Sequence, residues 1–102
     1  MKYTIPVRNT TDTYLFAVEL SGKVYDMRLH FNQRESHWYL DIGRNDAQIV
    51  QGIKLVHTED LLSQFRAYDI PEGKLIVHDI TGAYRDPDAD NFGETVLLQY
   101  ED

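Results

Sequence analysis

Asp86, Asp88 and Asp90 stand at alternate positions in the stretch Arg85-Asp86-Pro87-Asp88-Ala89-Asp90-Asn91, and alternate carboxylates are how a calcium loop begins to surround a hard cation with oxygen. The rest of that pattern is missing. An EF-hand loop has Gly at its sixth position and Glu at its twelfth, between two helices, whereas this chain has Asn91 and Leu97 there, with strand-like flanks. The triplet is better matched by an Asx-rich turn, in which short carboxylates accept from nearby backbone N–H groups. A metal-dependent hydrolase using Asp86, Asp88, Asp90 and a histidine is the weakest of three functional hypotheses, because three carboxylates repel one another without an ion.

The other chemistry-bearing residues are equally scattered. His30, His37, His57 and His78 are the only imidazoles. His30 and His37 flank one turn and could approach each other across it, but no H-E-x-x-H unit or comparable ligand spacing joins them to a zinc set. They are expected at the surface. Only Ser21, Ser36 and Ser63 offer a serine nucleophile, none in a G-x-S-x-G elbow, and no glycine-rich phosphate loop occurs. Seventeen acidic residues leave a glycosidase-type carboxylate pair open, yet abundance indicates neither a pocket nor a raised pKa. No catalytic residue, metal ligand or cofactor is therefore assigned, and a non-enzyme is expected.

The elements that hold these residues alternate with a period of two. Tyr14, Phe16, Val18 and Leu20 share one face of a strand, and Ser21-Gly22-Lys23 supplies the turn into a second, with Tyr25, Met27, Leu29 and Phe31 on its apolar side. After the polar turn Asn32 to Ser36, Trp38, Leu40 and Ile42 define a third strand. Trp38 is expected inside, and Tyr39, beside His37 and Asp41, as an exposed contact residue. Gly43 to Asp46 forms the next turn, and Ile49 to Val56 reads as a strand in which Gly52 marks a bulge or a close backbone approach. Leu75 to Ile80 and Thr95 to Tyr100 add two more. Tyr3, Ile5 and Val7 open the chain as a strand whose Pro6 belongs at an edge or a strand end.

One segment has helical spacing. Thr58 is a capping type, Glu59 and Asp60 suit a helix start, and Leu61, Leu62, Phe65 and Tyr68 fall near one face before Ile70-Pro71 stops them, which predicts a short helix near residues 59–68. The fold class is mainly β: a small antiparallel barrel or sandwich of six to seven strands in a single domain over residues 1–102. Between the last two strands, Thr81 to Gly93 is long for a connection in a compact domain, so Arg85, Asp86, Asp88, Asp90 and Asn91 form the candidate interaction loop.

Composition narrows the function further. Leu, Ile, Val and Phe supply 28 of 102 residues, enough to fold a charged chain. The longest apolar run, Tyr14 to Val18, is far shorter than a membrane helix, and the N-terminus lacks a basic-then-apolar export signal, so no membrane insertion is expected and Asn9-Thr10-Thr11 is a coincidental sequon. Without Cys there is neither a disulfide framework nor a thiolate. The formal charge of −7 lies in the second half: residues 1–57 are nearly balanced, while residues 58–102 hold eleven acids against three bases. Such a surface repels phosphate backbones, which argues against direct nucleic-acid binding and for protein partners.

Five segments in order carry a resemblance: Tyr3-Thr4-Ile5-Pro6-Val7-Arg8-Asn9, Trp38-Tyr39-Leu40-Asp41-Ile42, Gln51-Gly52-Ile53-Lys54-Leu55-Val56, the Asp60-Leu61-Leu62 segment, and Arg85-Asp86-Pro87 through Gly93. Together, from Lys2 to Tyr100, they resemble the cyanophage-type baseplate plug family of small phage tail proteins. The resemblance implies a non-catalytic virion component at the distal end of the tail tube of a contractile-tailed phage or prophage. It also implies contacts with hub, spike or tape-measure proteins, a place in the virion tail after assembly in the host cytoplasm, and homo-oligomer formation within the assembly. The alternative is a small β-barrel that binds a ligand or glycan through exposed Tyr and Trp side chains.

Overall fold

The computed structural model describes residues 2–7, 12–45, 47–58 and 60–102. The Asn9-Thr10-Thr11 sequon, Arg8 of the opening motif, Asp46 of the fourth turn and Glu59 of the expected helix start lie outside them. Among the described residues seven strands form two antiparallel sheets: β1 (Lys2–Thr4), β2 (Tyr14–Leu20), β3 (Lys23–Asn32), β4 (His37–Arg44), β5 (Ala47–Lys54), β6 (Lys74–Asp79) and β7 (Val96–Glu101). One sheet has the order β1-β7-β6 and the other β2-β3-β4-β5. The sheets do not close on each other, so of the two architectures left open by alternation, the sandwich is the one formed.

The two-residue period decides which side chains meet between the sheets. Tyr25, Met27 and Leu29 of β3 and Trp38, Leu40 and Ile42 of β4 face Leu75 and Val77 of β6 and Val96, Leu98 and Tyr100 of β7, with Ile5, Leu55 and Leu62 completing one buried cluster. Trp38 is among its largest fully buried side chains, as its alternation with Tyr39 requires. The β2–β3 hairpin is closed by Ser21 and Gly22, both at positive φ (53° and 81°), the geometry of a type I′ turn that matches strand twist. Pro6 follows β1, itself an edge strand, where its missing N–H breaks no ladder.

Gly52 marks a bulge. The β4–β5 register shifts between Leu40 and Ile42, Gly52 takes φ +72°, and its N–H, no longer paired in the ladder, donates to Asp41 Oδ1 at 2.8 Å. Asp41 is buried on the outer face and also receives Arg28 Nη1 at 3.1 Å. The helix expected over 59–68 is reduced to one 3-10 turn, Ser63–Phe65. Asp60 explains the reduction: its Oδ1 accepts from both Leu62 N (2.9 Å) and Leu75 N (3.2 Å), and Leu61 N–H is drawn to the Leu75 carbonyl (2.7 Å). Those bonds tie the segment to the edge of β6 instead of to its own next turn. Leu61 and Leu62 are buried there, whereas Tyr68 points to solvent.

Candidate interaction site

The connection from β6 to β7 is held from its first residue. Asp79, the last residue of β6, has no solvent-exposed side-chain surface, and its carboxylate accepts from Thr81 N (2.9 Å), Thr81 Oγ1 (2.7 Å), Arg85 N (3.1 Å) and Arg85 Nε (2.9 Å). Arg85, roughly half exposed, reaches on to Thr95 Oγ1 at 3.0 Å, so one guanidinium joins the two ends of the connection. The Arg85 guanidinium and the Thr81 hydroxyl and N–H hold the Asp79 carboxyl well below the usual carboxylate range, outweighing its desolvation.

That depression makes a pH-dependent prediction. A carboxylate stabilised in the fold contributes fully above its ordinary pKa of about 4, and the contribution fades as pH falls below that value. Asp79→Asn keeps the shape but removes the charge and one acceptor. Its urea midpoint should lie below that of the parent protein at neutral pH, and the gap should narrow through the acid range as Asp79 of the unfolded parent gains a proton that its folded state does not take up. Urea unfolding of both proteins from pH 7 to pH 3 measures it, and a gap independent of pH would show that the ion pair is not the source.

Further along, the Asp86 and Asp88 carboxylates are engaged with the chain itself, and Asp90 only through its N–H. Asp86 Oδ1 accepts from His57 N at 2.8 Å, and its Oδ2 lies 3.3 Å from His37 Nε2, while His37 Nδ1 lies 2.8 Å from the Glu35 carbonyl. Asp88 Oδ1 accepts from Asp90 N and Asn91 N, both at 2.8 Å. The Asp88 carbonyl accepts from Trp38 Nε1 at 3.1 Å. Asn91, buried, accepts the Asp88 N–H at its Oδ1 (2.7 Å) and donates its Nδ2 to the Asp86 carbonyl (3.2 Å). The Asn91 carbonyl accepts the N–H groups of Glu94, Thr95 and Val96.

The Asp86 and Asp88 carboxylates therefore turn toward separate backbone donors, and Asp90 is exposed. Among the described residues no group of three or more His, Cys, Asp or Glu side chains could hold a metal ion. The two histidines that flank the β3–β4 turn also part: His30 is paired with Tyr39 and stacks on it (centroids 5.6 Å apart, 18° between planes), whereas His37 turns to Asp86. Their approach across the turn is not formed, because cross-strand register sets Asn32, not His30, opposite His37.

Of the five loop residues singled out from sequence, Asp86, Asp88 and Asn91 fasten the loop to the sandwich, Arg85 fastens it and is also half exposed, and Asp90 is left exposed. Tyr39 is half-buried on the outer face of the four-stranded sheet. Its hydroxyl donates to the Glu35 carboxylate, which raises the phenol above its usual pKa.

Two residues of this region escaped sequence reasoning. Ile80 is 57% exposed and Tyr84 71%, and both stand where the chain leaves β6. Tyr84 has φ +56°, a left-handed conformation that costs a side chain of this size about 1–2 kcal/mol, and the grip of Asp79 on the next residue's N–H imposes it. Its ring packs on His57 with centroids 4.7 Å apart. The Gly82-Ala83-Tyr84 spacing carried a signal, since an aromatic two residues after a turn glycine has no strand face to fill.

The sandwich also bears on the glycan alternative. Trp38, the single indole, is only 1% exposed and spends its N–H on Asp88, and open sheets form no barrel mouth. No curated protein matches the chain. The family described as Cyanophage baseplate Pam3 plug gp18 matches residues 2–102, essentially from end to end, and the chain belongs to that baseplate plug family.

Proposed function

We propose that the protein is a non-catalytic structural part of a phage or prophage tail, closing the distal end of the tail tube and held there by hub, spike or tape-measure proteins. The observation that carries this reading is the family match over residues 2–102. It is supported by the way the ionisable groups are used: Asp79, Asp86, Asp88 and Asp41 all accept from the protein's own donors. Assembly in the host cytoplasm and residence in the virion tail follow from the same reading.

Within it, the fastened loop is a rigid contact element. Ile80 and Tyr84 supply exposed apolar surface, Arg85 and Asp90 supply charge, and Tyr39 adds an amphipathic ring on a neighbouring face. Rigid aromatic and arginine side chains are the types that anchor protein interfaces at low entropic cost. Affinity co-purification with co-expressed hub, spike and tape-measure proteins tests the proposal. Capture of at least one of them is expected, weakened roughly tenfold by Tyr84→Asn combined with Asp90→Lys, with the melting temperature of the free protein not lowered. Failure to retain any tail protein would remove the reading.

A further inference from the structure

The two seams of the sandwich differ. On one side, residues 55–58 and 60–74 bridge the sheets: Leu55 N–H donates to the Trp38 carbonyl (2.9 Å), Leu61 N–H to the Leu75 carbonyl (2.7 Å), and Asp60 accepts from Leu75 N. On the other side, among the described residues, β1 and β2 are the outermost strands of their sheets. β1 has three residues, too short to template a neighbour. β2 has seven, paired to β3 in seven consecutive register steps from Tyr14↔Leu29 to Leu20↔Lys23 without a shift.

The sequence of β2 carries little that blunts a sheet edge. Its sequence Tyr-Leu-Phe-Ala-Val-Glu-Leu has no Pro, no Gly, no bulge and a single charge, the composition that pairs readily with another strand. β5, the opposite edge of the same sheet, carries the Gly52 bulge that bends it out of line. The side-chain pattern is unfinished as well. Phe16 belongs to the inward row with Tyr14, Val18 and Leu20, yet it alone of the four is only half-buried, and Leu15 on the outer row is 67% exposed.

We propose that β2 is a self-association edge, to which a second copy of this chain adds its own β2 antiparallel, across a two-fold axis at Ala17. Charge and shape select this occupant. Centred on Ala17, Leu15 opposes the second copy's Glu19 and Phe16 opposes its Val18, so the lone charge of each strand never meets its equal. The two small residues meet at the axis. The inward rows of both copies fall on the same side of a continuous eight-stranded sheet, and each half-buried Phe16 gains a β-branched neighbour. An isologous contact of this kind closes at two copies. The pairing is a property of the chain alone and stands or falls separately from its place in a tail.

Sedimentation or native mass spectrometry of the purified protein, with three variants, tests it. The parent protein should be a dimer that dissociates on dilution. Ala17→Lys sets two ammonium groups against each other at the axis and should raise the dimer dissociation constant roughly fivefold or more, whereas Leu15→Lys, which meets Glu19 of the second copy, should keep the dimer. The chain has no cysteine of its own, so Ala17→Cys should give a covalent dimer on mild oxidation, since opposed residues of an antiparallel pair lie within disulfide reach. Val24→Cys on β3, also exposed, should not. A monomer at every concentration, a ring of three or more copies, a dimer indifferent to Ala17→Lys, or crosslinking through Cys at position 24 and not 17 would each overturn the proposal.

Discussion

Trp38→Ala should lower the unfolding free energy by about 3–5 kcal/mol, the usual cost of emptying a buried indole site. The ring is 1% exposed and packs between Phe31 and Phe92, with centroids 5.3 Å and 5.2 Å away, so its removal leaves a cavity at the junction of the four-stranded sheet and the loop. A domain of this size has roughly 5–15 kcal/mol in all, and the loss translates to a fall of roughly 15–30 °C in Tm. Trp38→Phe separates packing from hydrogen bonding. It retains most of the ring volume while deleting the bond to the Asp88 carbonyl, for a cost well below that of Trp38→Ala, at least about 1 kcal/mol. Thermal unfolding followed by circular dichroism reads both, and proteolysis at residues 86–91 should accelerate in Trp38→Phe. Equal Tm values for the parent and Trp38→Ala would mean that the loop and sheet do not share this core.

Asp41→Ala is the second large effect. The carboxylate lies buried on the outer face of β4, accepting the bulged Gly52 N–H at 2.8 Å and Arg28 Nη1 at 3.1 Å. Deleting it orphans a backbone donor that the register shift has already removed from the ladder, at about 1–3 kcal/mol. Gly52→Ala strains the left-handed residue (φ +72°) by about 1–2 kcal/mol, although the space for a Cβ is open. Because Asp41 and the Gly52 conformation support each other, the double variant should be less destabilised than the two single changes added together. Chemical denaturation of the four proteins gives the coupling, and strict additivity would show that the carboxylate does not hold the bulge.

The strands were legible because one face of each is buried and a one-residue slip would invert it. Met27 and Leu29 against Arg28, or Leu40 and Ile42 against Tyr39, leave a single register that hides the apolar set. Gly52 was legible as a bulge for a related reason: Gly interrupts a β-branched run where a left-handed residue is needed. The segment 59–68 misled because its helical spacing also suits a chain pinned by one side chain. Asp60 cannot reveal from local sequence that its Oδ1 will serve Leu75, fifteen residues away, and that bond draws Leu61 to the sheet edge.

The loop shows the same limit. Its Asx-rich character was visible, and Asp88 does turn its carboxylate onto Asp90 N and Asn91 N as such sequences do. What fastens it was not visible. Trp38, His37 and His57 reach it across 50, 49 and 29 residues, and nothing in the composition of 81–93 names them. Tyr84 was missed because its exposure depends on the grip of Asp79 on Arg85, a contact that spans the turn and sets the tyrosine outward.

Cryo-electron microscopy of intact tails produced with and without this gene tests the central claim most directly. The account predicts density fitting the two-sheet sandwich at the distal end of the tail tube, absent from the deletion particles, with the β6–β7 loop turned toward a neighbouring tail protein. Tails whose distal end is unchanged by the deletion, with no density for the sandwich, would contradict it.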